Sequence, residues 1–402
     1  MVVHAYYPLG ETRVEREARA LLHRGYAVDV ICLRAAGEAP REEADGIAIH
    51  RLPVRRHKGR GAAVQMLEYL AFLLLAMWRL TRLHLGAPYR VVQLHNLPDF
   101  LVFAALPVKL MGTRVILDIH DLMPEFYASR FGTGLDSLPV RLVMLQERWS
   151  CRFADHVITV SDHWRQVLIG RGVAPNKCSV VMNVADDSIF HPPAAPPPLL
   201  HDPNGLRLIY HGSLARHYGL DLAIEAVARV RQDIPGIHLT LLGEGDFAPE
   251  LRRLIDALGV AAQVSLINEM RPAEALPAII ATADLGLAPY RNDTFTDGLL
   301  PTKLMEYAAL GMAAVAARTT AIERTFGGTM AAFFEPGDVD GLANCLRDLH
   351  AHPERIAELR AGSALFNERY NWPKIGAEYV ATVDGLGAGQ QPVGRGQYSV
   401  GQ

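Results

Sequence analysis

Apolar residues fall in short uninterrupted runs along the first half of the chain, at Val2–Ala5, Val28–Leu33, Val91–Leu94, Val115–Ile119 and His156–Val160. Runs of this length without polar alternation predict strands covered on both faces. Between them the apolar positions recur at helical spacing, as in Val14–His23, which Gly25 ends. Buried strands alternating with amphipathic helices predict a parallel sheet with helices on both sides. The rhythm then breaks. Phe190-His191-Pro192-Pro193-Ala194-Ala195-Pro196-Pro197-Pro198, closed by Asp202-Pro203-Asn204-Gly205, continues neither a helix nor a central strand. It restarts with strands expected at Leu206–His211, His238–Leu242, Val264–Ile267, Leu285–Ala288 and Ala313–Ala317. Helices are expected at Leu220–Asp233, Pro249–Leu258, Pro272–Ala281 and Leu304–Ala309. The pattern predicts two doubly wound α/β domains, 1–190 and 206–369, joined by a proline-rich linker at 191–205. Ligands of such sheets bind at the carboxyl ends of the strands, and two facing domains would place the site in the cleft between them.

The length of 402 residues agrees with two domains. A net charge of −3 gives no global field for nucleic acid, so no nucleic-acid partner is expected. The four cysteines, Cys32, Cys151, Cys178 and Cys345, are scattered without metal or disulfide spacing, which suits a reducing compartment. The first residues lack the basic start and long apolar run of a secretion signal, so a cytoplasmic location is expected. The Gly/Gln-rich tail at 387–402 reads as disordered. One stretch, Met66–Trp78, is strongly apolar. Glu68 and Arg79 bracket only about ten uncharged residues, short of the roughly 20 a span needs. A buried or membrane-surface helix is the expectation. Arg51, Arg55, Arg56, His57, Lys58 and Arg60 precede it and suit an anionic membrane surface, or equally a solvated loop.

Three segments carry candidate chemistry. In Asp297–Gly311, Pro301 suits a first helical turn and Gly311 a C-terminal cap. Leu300 is a poor N-cap, so the amides around Pro301 and Thr302 are free for an anion. Lys303 and Glu306 stand three apart on one face, where a lysine suits phosphates and a carboxylate suits vicinal ribose hydroxyls. The same spacing describes an ordinary surface ion pair. In Tyr210–Asp221, Gly212 follows a strand and lets a ligand approach the backbone, with Arg216 and His217 in the loop to meet a diphosphate. A plain strand–turn–helix reads the same way. In Leu117–Glu125, His120 and Asp121 end a strand where the site is expected, and His95-Asn96-Leu97-Pro98-Asp99 ends the preceding strand likewise. Gly243-Glu244-Gly245 also follows a strand. Gly10 with Arg13 opens the first helix, an anion-binding position.

In order and content these segments resemble the retaining glycosyltransferase family 4, of GT-B fold. The resemblance runs from Tyr6-Tyr7-Pro8 to Trp372 and rests on His95–Asp99, Asp118–Asp121, Tyr210-His211-Gly212 with Tyr218–Asp221, Gly243–Gly245, and Leu300–Lys303 running into Glu306-Tyr307. It implies two Rossmann-like domains facing across a cleft, with a terminal helix at 370–386 crossing back to the first. Glu306 matches the second glutamate of the family's two-glutamate motif, the donor-ribose ligand. The first falls on Gly298, and Asp297 or the backbone amides of Gly298–Thr302 stand in its place. The family's arginine falls near Ser213 and its lysine near Tyr218, so Arg216, His217 and Lys303 are the nearest cations. His120 matches the histidine that faces the donor sugar. The implied activity is metal-independent retaining transfer from a nucleotide-sugar donor to a polysaccharide or lipid-linked acceptor, with no cofactor, on a protein peripheral to the inner face of the cell membrane. A non-catalytic nucleotide-sugar-binding protein and a nucleotide-sugar epimerase of the same fold are the alternatives.

Overall fold

The computed structural model describes residues 1–8, 11–56, 61–191, 202 and 204–388, and the chain divides into two units. One holds Met1–Met182 and the chain from Ile375 onward; the other holds Asn183–Lys374. Most of the expected linker, residues 192–201 and 203, lies outside the described residues, as does the tail beyond 388.

In the first unit, strands β1 (Val2–Tyr6), β2 (Val28–Leu33), β3 (Arg41–Ala44), β4 (Ile47–Leu52), β5 (Val91–His95), β6 (Arg114–Ile119), β7 (His156–Thr159) and β8 (Cys178–Val180) form one sheet, in the order β3-β4-β2-β1-β5-β6-β7-β8. The pairing is parallel except at the β3–β4 edge, which is antiparallel and corrects the expectation of a wholly parallel sheet. The long apolar runs became β1, β2, β5, β6 and β7. The edge hairpin escaped notice because β3 is Arg-Glu-Glu-Ala and because β4 carries His50 and Arg51 at buried positions. Arg51 is paired there with Glu42 at 2.6 Å and Glu38 at 3.2 Å. It therefore does not belong to an exposed basic cluster; His57, Lys58 and Arg60 of that cluster lie outside the described residues.

Helices α1 (Thr12–His23), α2 (Ala62–Gly86), α3 (Leu106–Leu110), α4 (Met123–Phe131), α5 (Leu138–Phe153) and α6 (Asp162–Gly170) cover this sheet. A 3-10 segment, Asp99–Ala105, leads into α3 and packs between α2 and α5. Helix α2 is longer than the apolar stretch suggested. Over Ala63–Gly86 it is long and apolar enough to cross a membrane by length and composition. Its charges do not interrupt it, because Glu68 is buried and Arg79 turns to His50 Nδ1 at 3.2 Å. One side is packed into the unit's core through Phe72, Ala76 and Leu80.

In the second unit, β9 (Gly205–His211), β10 (Gly236–Leu242), β11 (Val264–Ile267), β12 (Leu285–Ala288), β13 (Ala313–Ala317) and β14 (Ala331–Phe334) form a parallel sheet in the order β11-β10-β9-β12-β13-β14. That is the doubly wound order in which the chain starts in the middle and reverses direction across the sheet. Helices α7 (Leu220–Val230), α8 (Ala248–Leu258), α9 (Leu276–Ile280), α10 (Thr302–Ala309), α11 (Thr320–Met330), α12 (Val339–Ala351) and α13 (Pro353–Arg369) complete it. The single helix expected at Pro272–Ala281 is a 3-10 turn followed by α9. The last helix, α14 (Trp372–Gly387), extends past the expected end and belongs to the first unit from Ile375. There Tyr379 Oη donates to Gln93 at 2.7 Å, and Asp384 accepts from Arg24 at 2.9 Å and from Tyr26 at 2.5 Å. All four cysteines are free thiols; Cys32, Cys151 and Cys178 are buried in the first unit and Cys345 is half-buried in the second.

Candidate functional site

In the second unit the strand order reverses between β9 and β12, which makes the carboxyl ends of these strands the natural ligand position. Helix α10 delivers Lys303 and Glu306 there. Pro301 is its N-cap, supplies no side-chain acceptor, and leaves Thr302 exposed at the helix start. Lys303 and Glu306 turn to different partners. Buried Lys303 donates from Nζ to Tyr290 Oη at 2.7 Å. The ammonium lies 4.8 Å from the ring centre of Tyr210 and 5.0 Å from those of Tyr218 and Tyr290, a three-tyrosine cage. Burial pulls its pKa down to about 8, with Glu306 opposing the shift. The Lys303 stem runs beside Gly212, where a Cβ would sit 3.7 Å from Lys303 Cε. The resemblance places a lysine near Tyr218; here a lysine from α10 puts its ammonium against the Tyr218 ring instead.

Glu306 meets His211 Nε2 at 2.5 Å. The ring of His211 is steadied from its other side by Tyr307, whose hydroxyl is 3.2 Å from Nδ1 and donates to the Ile209 carbonyl at 3.1 Å. Tyr307 can lie against β12 because position 286 is glycine: a Cβ there would be 2.4 Å from the ring. Gly243 serves close packing in the same way. A Cβ on it would sit 1.9 Å from the Gly212 carbonyl oxygen, so the β9 and β10 loops touch backbone to backbone.

The remaining expected residues take varied places. The Ser213 carbonyl accepts from Tyr210 Oη at 2.7 Å. Arg216 pairs with Glu250 at 2.9 Å and stacks over Phe247, and the His217 ring lies 4.0 Å from that of Tyr218. Asp297 accepts from the Thr320 amide at 2.9 Å and so ties the loop to the start of α11. Gly10 lies outside the described residues.

In the first unit the strands ending at the reversal between β1 and β5, with neighbouring β6, carry a buried polar network. Asp118 is fully buried and receives both Arg13 Nε at 2.8 Å and Arg13 Nη2 at 2.9 Å. Arg13 is therefore committed to a carboxylate and is not the open anion ligand its position suggested. His120 Nε2 lies 3.1 Å from Asp118 Oδ2, and His95 Nδ1 lies 3.0 Å from the same oxygen. Asn96 pins the strand ends: its Oδ1 accepts the His120 amide at 2.8 Å and its Nδ2 donates to the Asp121 carbonyl at 2.7 Å. Behind them Gln93 donates to Glu17 at 2.6 Å and accepts from Tyr379, which links α14 to the histidines. Burial opposes charge on Asp118, yet Arg13 and then His120 hold its carboxyl well below the usual range. His120 is likewise disfavoured by burial, and the Asp118 charge reverses this and raises its pKa. Burial lowers His95 to about 4 and lifts Glu17 to about 7. Burial raises the Asp121 carboxyl, with His120 opposing. The ligand atoms of His95, Asp118 and His120 lie within 4.8 Å of one another, but Arg13 already holds both oxygens of Asp118. The trio is a hydrogen-bonded cluster in which Asp118 favours the protonated form of the partly accessible His120.

Sequence reasoning named His120, Lys303 and Glu306 but missed the cage. Its rings come from β9, from the loop before α7 and from the loop after β12, so no local spacing announces them.

Residues 10–183 match the family model described as "Glycosyl transferase 4-like domain", and residues 205–352 match "Glycosyl transferases group 1". The chain is 32% identical over 173 residues to a GDP-mannose-dependent alpha-(1-6)-phosphatidylinositol monomannoside mannosyltransferase of Mycolicibacterium smegmatis, covering 42% of this chain and 44% of that protein. It is 27% identical over 255 residues to the putative colanic acid biosynthesis glycosyl transferase WcaI of Escherichia coli, covering 60% of this chain and 61% of that one. The chain thus spans about half the length of the curated relatives it matches. Among solved structures, sucrose-phosphate synthase from Thermosynechococcus elongatus superposes with a TM-score of 0.75 at 16% identity, covering 97% of this chain and 99% of that one. Anabaena HepE in complex with UDP gives a TM-score of 0.68 at 16% identity, covering 96% and 98%. These likenesses show the GT-B fold. With both domain types matched in this order on this fold, the chain belongs to the family 4 glycosyltransferases.

Proposed function

We propose that the protein is a retaining transferase that takes a sugar from a nucleoside-diphosphate donor to a polysaccharide or lipid-linked acceptor. The observation that carries this is Lys303 and Glu306 converging on the carboxyl ends of β9 and β12, a cation and a carboxylate at the switch point of a doubly wound sheet. In this reading the Lys303 ammonium leaves its cage of rings for the diphosphate, joined by the uncapped amides at the start of α10. Glu306, steadied by His211, accepts the two ribose hydroxyls. His120, whose protonated form Asp118 favours, is the proposed donor to a hydroxyl of the sugar. The bond from the anomeric carbon to the phosphate oxygen breaks, and the acceptor oxygen bonds to that carbon on the same face. The acceptor proton passes to the departing phosphate. Because cations and amides neutralise the leaving group, the reaction is proposed to proceed without a metal. The names of two relatives, a GDP-mannose-dependent alpha-(1-6)-phosphatidylinositol monomannoside mannosyltransferase and a putative colanic acid biosynthesis glycosyl transferase, support a lipid-linked or polysaccharide acceptor.

A thermal-shift series with UDP, GDP, ADP and their common sugars tests the donor. One base should raise the melting temperature in proportion to ln[ligand], since only the folded state binds. Glu306→Ala and Lys303→Ala should each abolish that shift; wild-type shifts in both would sink the assignment. Turnover unchanged in excess EDTA is expected, and its loss would refute metal independence. A second reading, a nucleotide-sugar binder without turnover, is favoured by the engagement of Asp297 with α11 while Gly298 occupies the first-glutamate position. Donor binding with neither transfer nor hydrolysis across an acceptor panel would select it.

A further inference from the structure

Helices α2, α3 and α5 lie in one layer on the first unit's sheet, joined through the 3-10 segment Asp99–Ala105 that packs against all three. The inward side of this layer is ordinary core: Phe72, Ala76 and Leu80 from α2, and Val140 and Cys151 from α5. The outward side is apolar as well. On α2, Leu67, Leu70, Leu74 and Trp78 recur at three- and four-residue spacing and stand exposed, Leu67 at 67% and Leu74 at 62%. On α5, Leu138, Leu142, Leu145 and Trp149 repeat the pattern, with Leu138 at 71% and Trp149 at 63%. Leu106 and Leu110 of α3 are exposed between them. Soluble monomers rarely leave so extended an apolar face to water.

The charges on the layer are sorted by sign. Each acidic side chain of α2 and α5 is buried, Glu68 and Glu147, and α3 has none. Glu125 and Glu147 are both bound by Arg171 from beneath. The exposed charges on α2 and α5 are all arginine, Arg82, Arg141, Arg148 and Arg152, with one exposed acid, Asp136, in the loop just before α5. Arg82 lies over the exposed Trp78 ring, 5.5 Å from its centre. Arginine beside tryptophan on an apolar face is the composition that suits a headgroup boundary. A second copy of this face would bring arginine against arginine, and a protein partner would leave the sign sorting unexplained. We infer that the outer face of α2, α3 and α5 docks as one surface on an anionic phospholipid bilayer. The helices lie along it rather than through it, since α2 gives its other side to the sheet strands and α5 gives its other side to the 3-10 segment and α4. The inference does not rest on the nucleotide reading.

Co-flotation of the full chain with phosphatidylcholine vesicles, with and without about a third phosphatidylglycerol, tests it. The wild type should float with the anionic vesicles and release as salt rises. Two variant sets should each cut partition at least tenfold while keeping the wild-type circular dichroism spectrum. One is Leu67→Gln with Leu74→Gln and Trp78→Gln; the other is Leu138→Gln with Leu142→Gln and Trp149→Gln. Arg141→Glu with Arg148→Glu and Arg152→Glu should abolish the preference for anionic lipid. If the α5 set floats like wild type, the shared surface is refuted, whatever α2 does. If wild type does not float but forms a dimer in light scattering that the α5 set splits, the face is an interface between copies and the inference fails. Donor-induced thermal shifts measured in parallel separate these outcomes from any failure of the transferase reading.

Discussion

Lys303 is a buried cation whose compensation in the free protein is three aromatic faces, one hydroxyl and nearby Glu306. Its pKa of about 8 makes its charge negotiable near neutrality. A diphosphate prefers the ammonium, so donor affinity should fall above pH 8, by at most about tenfold per pH unit for a single linked proton. Lys303→Arg should remove this alkaline decline if the guanidinium fits the cage, because it stays charged. Without ligand the sign is opposite: the unfolded lysine holds its proton up to its ordinary pKa and the folded one does not. This group's contribution to stability therefore rises with pH from about 8 upward. Asp118 behaves differently, since its carboxyl is held low by Arg13. Asp118→Asn should cost about 3–5 kcal/mol in denaturant unfolding, because it leaves Arg13 buried without its counter-charge. The pKa of His120, read by NMR, should also drop in that variant.

At the scale of elements, strands with unbroken apolar runs declared themselves, including β13, which is Ala-Ala-Val-Ala-Ala and of low strand propensity. Burial on both faces is what the run encodes. The strands that hid were those whose polar residues find partners only through the fold. Arg51 in β4 is matched by glutamates of the neighbouring hairpin strand and its approach loop. The three-residue β8 hid by length. Site legibility followed the same division. Lys303 and Glu306 were readable because one helix turn carries both, whereas the cage, and the cluster of Arg13, Asp118 and His95, join elements far apart in sequence. Glycines record such joins after the fact. Gly286→Ala would push a methyl into Tyr307, tilt His211 and loosen Glu306. It should cost about 1–3 kcal/mol in thermal unfolding and weaken nucleoside binding more than Lys303-dependent pyrophosphate binding.

For the whole molecule, α14 returns the end of the chain to the first unit, and Tyr379 plugs it into the network behind His120. Tyr379→Phe leaves the Gln93 oxygen buried without its donor and should lower stability by about 1–3 kcal/mol. The loss should appear in the first unit's unfolding while donor-induced protection of the second persists. The cysteines offer a way to watch this without added probes. Burial pushes the thiol of Cys32 up to about 12 and those of Cys178 and Cys345 to about 11, so the thiolate that reacts with an alkylating reagent is scarce at neutral pH. Each thiol becomes labelled only when its surroundings open. Three report on one unit and one on the other, so pulse alkylation followed by peptide mass mapping would turn the native sequence into two independent clocks of opening.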